Sequence, residues 1–309
     1  MPSEAAMPDA PGKKAQGDAA GHNHEVKIDE PTGVETTGHS WDGVEELNNP
    51  LPRWWVSVFY ATIIWSIGYA ILYPAWPMLT TSTKGLLGWS TRGEVAAALS
   101  AVEDARAPWR DKIAAAPLEN ILTDAELVKF ARRAGGAAFT LHCAQCHGSD
   151  AQGAVGYPNL NDDDWLWGGT LEEIHHTIAH GVRNDDSDQS HFSEMPVFRE
   201  ILSSSEIDQV THHVMSLGGL PHDAALAGKG SDIFLDNCAS CHGDAGGGDI
   251  YLGAPNLADV IWLFGDDEAS IASQIANPVH GQMPAWGPRL DEVTIKELAV
   301  YVHTLGGGK

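Results

Sequence analysis

Two copies of one five-residue pattern, Cys-x-x-Cys-His, constrain this chain more than any other feature. They stand at Cys143-Ala-Gln-Cys146-His147 and Cys238-Ala-Ser-Cys241-His242, 95 residues apart, and use all 4 cysteines of the 309-residue chain. Given that cysteine and histidine content, one chance occurrence is expected on the order of 0.003 times. The surrounding sequence repeats as well. Gly135, Phe139 and Cys143 recur as Gly230, Phe234 and Cys238, each set on one face of a helix. "YPNL" at 157–160 returns as "APNL" at 254–257, and "DWLWG" at 164–168 as "IWLFG" at 261–265. Ile174 and Ile178 match Ile271 and Ile275, and Met195-Pro196 matches Met283-Pro284. Each copy closes with an amphipathic helix stopped by paired glycines, "SSSEIDQVTHHVMSLGG" and "LDEVTIKELAVYVHTLGG". The pattern is a tandem duplication of one small domain of about 90 residues.

Four chemistries compete for the repeated motif. A disulfide does not require a histidine after the second cysteine in both copies. A thioredoxin-like dithiol calls for alternating strands and helices, and strand patterns are scarce. Zinc needs a second pair of ligands at short spacing in each copy, and none is evident. Attachment of a c-type haem uses every residue: the thiols of Cys143 and Cys146, or Cys238 and Cys241, add to the haem vinyl groups, and His147 or His242 lies under the iron.

Ahead of the repeat, "WWVSVFYATIIWSIGYAILYPAWP" at 54–77 holds no charged residue. That is about the 20 residues a membrane-spanning helix needs, and Trp54, Trp55, Tyr73 and Trp76 mark its ends as interfacial aromatics do. It begins after some fifty polar residues, so it reads as an uncleaved anchor in a lipid bilayer rather than a signal peptide. Residues 1–50, with scattered His22, His24 and His39, show neither helical nor strand periodicity and read as a largely disordered arm. Between anchor and repeat, Thr123 and Glu126 stand at capping-box spacing ahead of "LVKFARRA". Charge excludes nucleic acid as a partner: 18 basic residues face 42 acidic ones, and residues 135–309 alone hold 25 acidic against 6 basic. A surface of that sign is expected to steer a basic protein, an effect that salt screens.

The order Gly-x-x-x-Phe-x-x-x-Cys-x-x-Cys-His, Pro-Asn-Leu, Met-Pro and closing helix resembles the class I cytochrome c domain. The resemblance implies that Gly135 and Gly230 are small so that the first and last helices approach closely. It implies that the Pro158 and Pro255 carbonyls orient the proximal histidines. It also implies His/Met ligation of both irons, with Met195 and Met283 following His147 and His242 by 48 and 41 residues in the Met-Pro context where this family places its distal thioether. His180, His191 and His280, near the same loops, are the rival ligands; His212 and His213 are expected to pack or face water.

"WDGVEELNNPLPRWW" at 41–55, leading into one membrane helix and two cytochrome c domains, resembles the dihaem subunit (subunit III, CcoP or FixP type) of cbb3-type cytochrome c oxidases. The implied fold is mainly α, a single N-terminal transmembrane helix followed by two tandem class I cytochrome c domains. Its parts are a cytoplasmic arm at 1–50, an anchor at 51–77, a helical connector at 78–128, and cytochrome c domains at 129–220 and 221–309. The implied cofactors are two haem c groups, on the periplasmic side of a bacterial inner membrane. The implied role is non-catalytic electron transfer: from a soluble or membrane-anchored cytochrome c donor, through this chain, to a monohaem cytochrome c subunit and the haem-copper subunit that reduces oxygen and pumps protons. A dihaem carrier serving another dehydrogenase and a dihaem peroxidase are the alternatives. An oxidase partner on co-purification separates the first, and carbon monoxide or peroxide binding at a reduced haem the second.

Overall fold

A computed structural model describes residues 26–308. His22 and His24 lie outside the described residues. The chain divides into two units, Met1–Ala97 and Ala98–Lys309.

In the first unit, β1 (Thr36–Trp41) and β2 (Val44–Leu47) form an antiparallel hairpin in which Trp41 pairs with Val44. The hairpin lies within the stretch expected to be a largely disordered arm. The local cause is Asp42-Gly43, both at positive φ (49° and 87°), a dipeptide suited to a two-residue turn whose twist matches that of the strands. α1 (Arg53–Leu72) follows, 20 residues or about 30 Å long, with no buried residue. It is long and apolar enough to cross a membrane. Its serine and threonine hydroxyls return to the helix itself: Ser57 donates to Arg53 O at 3.0 Å, Thr62 to Phe59 O at 2.7 Å and Ser66 to Thr62 O at 2.7 Å. No polar side-chain group of these three is left for lipid to satisfy. Beyond Tyr73 the chain turns back, and Leu86 N and Leu87 N donate to the Ile71 and Leu72 carbonyls. α2 (Thr91–Ala115) comes next.

The second unit is built from the C-terminal part of α2, then α3 (Leu118–Ile121), α4 (Ala125–His142), α5 (Ala144–His147), α6 (Leu171–His180), α7 (Ser204–Leu217), α8 (Ala224–Asn237), α9 (Ala239–His242), α10 (Glu268–Ala276) and α11 (Glu292–His303). The N-cap of α4 is Asp124, which accepts from the Glu126 and Leu127 amides, in place of the expected Thr123. The Thr123 hydroxyl donates instead to Asn120 O. α6 and α7 carry complete capping boxes, Thr170 with Glu173 and Ser203 with Glu206.

The unit has two hydrophobic cores, and neither belongs to one sequence repeat. In the first, Phe139 and Ala131 of α4 and Ile174 and Ile178 of α6 pack with Ile295, Leu298 and Val302 of α11. In the second, Val210 and Val214 of α7 pack with Phe234 of α8 and Ile271 and Ile275 of α10. The closing helices are therefore exchanged: that of repeat one packs on the opening helix of repeat two, and the reverse. A short linker gives the physical reason. α7 ends at Leu217 and α8 starts at Ala224, so the two fold back on each other as an antiparallel helical hairpin, leaving the α4 face to α11.

The glycines at these crossings have the expected role with exchanged partners. A Cβ on Gly135 would stand 2.1 Å from Glu297 O on α11, and one on Gly230 2.1 Å from Gln209 O on α7. Both helix pairs approach too closely for any side chain there.

Candidate functional site

Cys-x-x-Cys-His takes the same backbone path in both repeats. The long helix ends on the first cysteine as C-cap, and a single helical turn, α5 or α9, carries the second cysteine and the histidine. His147 N donates to Cys143 O and His242 N to Cys238 O, both at 3.0 Å. All four thiols are free, with Cys143 and Cys238 turned inward and Cys146 and Cys241 exposed. Burial, and then the neighbouring cysteine, pushes the Cys143 and Cys238 thiols up to about 11.

His147 Nδ1 lies 3.0 Å from Pro158 O, and His242 Nδ1 3.0 Å from Pro255 O. A carbonyl only accepts, so Nδ1 carries the proton in each ring and the Nε2 lone pair is free for a metal. Burial holds both imidazoles below the usual histidine range, the proline carbonyl opposing it. The neutral ring that iron ligation requires is thereby favoured.

Both histidines open into one continuous cavity, whose lining also includes Cys143, Cys238, Cys241, Met195 and Met283. Met283 packs against the first core, with Phe139 and Cys143, and Met195 against the second, with Phe234 and Cys238. Each methionine thus packs in the core built around the other repeat's motif, the reverse of the order in which His147, Met195, His242 and Met283 follow one another in the chain. Of the rival ligands, only His280 lines the cavity. His180 and His191 instead meet His176, at ring separations of 4.5 and 4.9 Å for His176–His180 and His176–His191.

The donor set and the walls fit a haem c. Two thiols and one neutral imidazole converge at each motif, a soft thioether lies in each core, and Phe139, Phe234, Trp165 and Trp262 line the cavity. Trp262 Nε1 is buried without a hydrogen-bond partner. An orphaned N–H costs about 1–3 kcal/mol, and a haem propionate would satisfy it. Its counterpart, Trp165 Nε1, donates to Gly307 O. The tryptophans repeat in "DWLWG" and "IWLFG", so their register was visible in sequence, but which indole had a partner was not.

Asp208, His212 and Glu268 also gather ligand atoms within 4.8 Å of one another. The Asp223 amide donates to His212 Nδ1 at 3.3 Å, so His212 Nε2 bears the proton and faces the carboxylates as a donor. Buried His212, and His213 against the Phe234 ring at 5.1 Å, are packed histidines.

Comparison with known proteins decides the family. The profile of the N-terminal domain of cytochrome oxidase-cbb3, FixP, matches residues 33–80; cytochrome c matches 133–218; and cytochrome c oxidase, cbb3-type, subunit III matches 225–302. The cbb3-type cytochrome c oxidase subunit FixP of Sinorhizobium medicae is 54% identical over 288 residues, covering 93% of this chain and 99% of the relative. The subunit CcoP of Cereibacter sphaeroides is 51% identical over 276 residues, covering 89% and 95%.

The chain belongs to the FixP/CcoP family of cbb3-type cytochrome c oxidase subunits. As a FixP/CcoP-family subunit it is a membrane-anchored, haem c-binding protein that works within an oxidase complex. Two features of its site escaped the sequence reading. One is the exchange of the methionines between cores. The other is Arg183, a cavity-lining residue that no motif marks.

Proposed function

We propose that this chain holds two haem c groups, attached at Cys143 and Cys146 and at Cys238 and Cys241, and acts as the electron-accepting subunit of its oxidase. His147 and Met283 would hold one iron, and His242 and Met195 the other, so that each pair draws on both repeats. Pro158 and Pro255 hold the imidazoles in the tautomer that ligates. A haem c bound in this way supplies a one-electron ferric/ferrous couple. The His/Met pairs leave no open coordination position, which suits electron transfer and disfavours peroxidase chemistry. The observation that carries this reading is the pair of His Nδ1–Pro carbonyl bonds, both 3.0 Å, opening into a single cavity that both methionines also line.

In this proposal α1 crosses the bacterial inner membrane, with the N-terminus cytoplasmic and the cytochrome c domains periplasmic. The chain accepts electrons from a soluble or membrane-anchored cytochrome c, its acidic surface favouring a basic donor, and passes them toward a monohaem subunit and the oxygen-reducing, proton-pumping haem-copper subunit. Full-length protein purified from a haem c-maturing host tests the reading. Pyridine haemochrome analysis should count two haem c per chain, and carbon monoxide should leave the reduced spectrum unchanged. One haem, or a carbon monoxide complex in the unmodified protein, would overturn it.

A further inference from the structure

Arg183 is the only lysine or arginine among the described residues lining the cavity. It follows Val182, just beyond the end of α6 at His180, and holds φ at +49°, a region that disfavours a long side chain. Its guanidinium makes two bonds of 2.7 Å: Nε donates to Gly281 O and Nη1 to Ser193 O. Both acceptors are neutral carbonyls; among the described residues no carboxylate lies within ion-pair distance of Arg183, while Glu194, beside Ser193 in the same cavity lining, acts on its charge from farther away. Ser193 stands two residues before Met195 and Gly281 two residues before Met283. One side chain therefore ties together the two segments that carry the candidate axial methionines, one from each repeat. The matching position in the second repeat, five residues after the buried isoleucine, is His280, so the repeat itself does not supply a second permanent cation.

We propose that Arg183 is a positioning residue for both haem sites: its planar fork holds the Met195 and Met283 segments in register, and its fixed charge favours the reduced state of both irons. This rests on the two-haem reading above. Two bonds in a rigid fork position both segments with one group, which a lysine ammonium does not reproduce. A permanent positive charge in a cavity with largely apolar walls lowers the energy of the state with one more electron.

The test uses full-length holoprotein with R183Q, which removes charge and fork, and R183K, which keeps the charge. The readouts are the midpoint potential of each haem by spectroelectrochemistry and the sulfur-to-iron absorption band during guanidinium titration. R183Q should shift both one-electron equilibria about tenfold toward the oxidised form, ~59 mV each. R183K should keep the potentials near those of the unmodified protein yet lose the sulfur-to-iron band at lower denaturant. If R183Q does not mature, the denaturant response of R183K decides. Unchanged potentials in R183Q, a change confined to one haem, or an R183K band as resistant as in the unmodified protein would each overturn the proposal. Absence of the sulfur-to-iron band from the unmodified protein would instead mark the His/Met reading itself as wrong.

Discussion

Met283 and Val182 pair backbone to backbone, each amide donating to the other's carbonyl at 3.0 Å. Val182 ends the α6 segment of the first repeat, while Met283 belongs to the second, and the antiparallel bridge sets that methionine beside the core built around Cys143. Its partner methionine, Met195, lies in the other core.

The exchange predicts which haem each methionine serves. In a chain whose second motif is disabled by Cys238→Ser and Cys241→Ser, the remaining haem should lose its sulfur-to-iron band with Met283→Ala and keep it with Met195→Ala. With Cys143→Ser and Cys146→Ser the pattern should reverse. Visible absorption of the oxidised proteins reads the outcome, and the sequential pairing would give the opposite result.

Because α11 of the second repeat completes the first core, truncation before Glu292 should loosen α4 and α6 rather than α8. Hydrogen exchange should rise around Leu127, Ala131 and Phe139 while Phe234 keeps its protection. Gly135→Ala forces a Cβ against the Glu297 backbone and should cost about 1–3 kcal/mol, read as a lowered melting temperature.

Glu297 on α11 is 1% exposed and meets Arg110 Nη1 at 3.3 Å and Arg106 Nη2 at 3.8 Å. Burial pushes its carboxyl above the usual range, the two arginines opposing that shift. Arg110→Met leaves this carboxylate buried and short of a partner, at a cost of about 3–5 kcal/mol near neutral pH. A carboxyl whose folded pKa is raised stabilises the fold at low pH and loses that contribution as pH rises through the raised value. The deficit of Arg110→Met should therefore shrink on acidification. Denaturant melts of both proteins across pH 4.5–8, a window set about the carboxylate range, check the sign.

His180 is held below the usual histidine range by burial and then by His176 and His175, and His191 by burial and then by His176 and His180. The folded state then binds fewer protons than the unfolded state just below the unperturbed pKa of about 6.5, so stability should fall as pH drops through that value. Replacing His180 and His191 with glutamine should flatten this part of the profile. Thermal melts between pH 5 and about 7.5 measure it; a slope equal to that of the unmodified protein would exclude the cluster as its source.

Much of the architecture was legible in the residues. The uncharged stretch at 54–77 contains most of α1, and the two closing patterns became α7 and α11 within a few residues of their glycine stops. The hairpin at Thr36–Leu47 was missed because its strands lack clean alternation, although Asp42-Gly43 carried the turn signal. Asp124 displaced Thr123 as cap because an aspartate one residue nearer the helix reaches two amides at once.

The sequence by itself determined that one pattern occurs twice, since the Cys-x-x-Cys-His motifs, their following prolines and the helix-crossing glycines are local features that recur in register. It could not say which closing helix covers which site, because both repeats present the same Gly-x-x-x-Phe face and either assignment satisfies the same periodicity. Tertiary structure decided that through the short linker between Leu217 and Ala224, which makes α7 and α8 neighbours and sends α11 back to α4. The crossing then brings Ser193 and Gly281, 88 residues apart in the chain, to one guanidinium. Such a contact follows from how helices pack, and no repeat period encodes it.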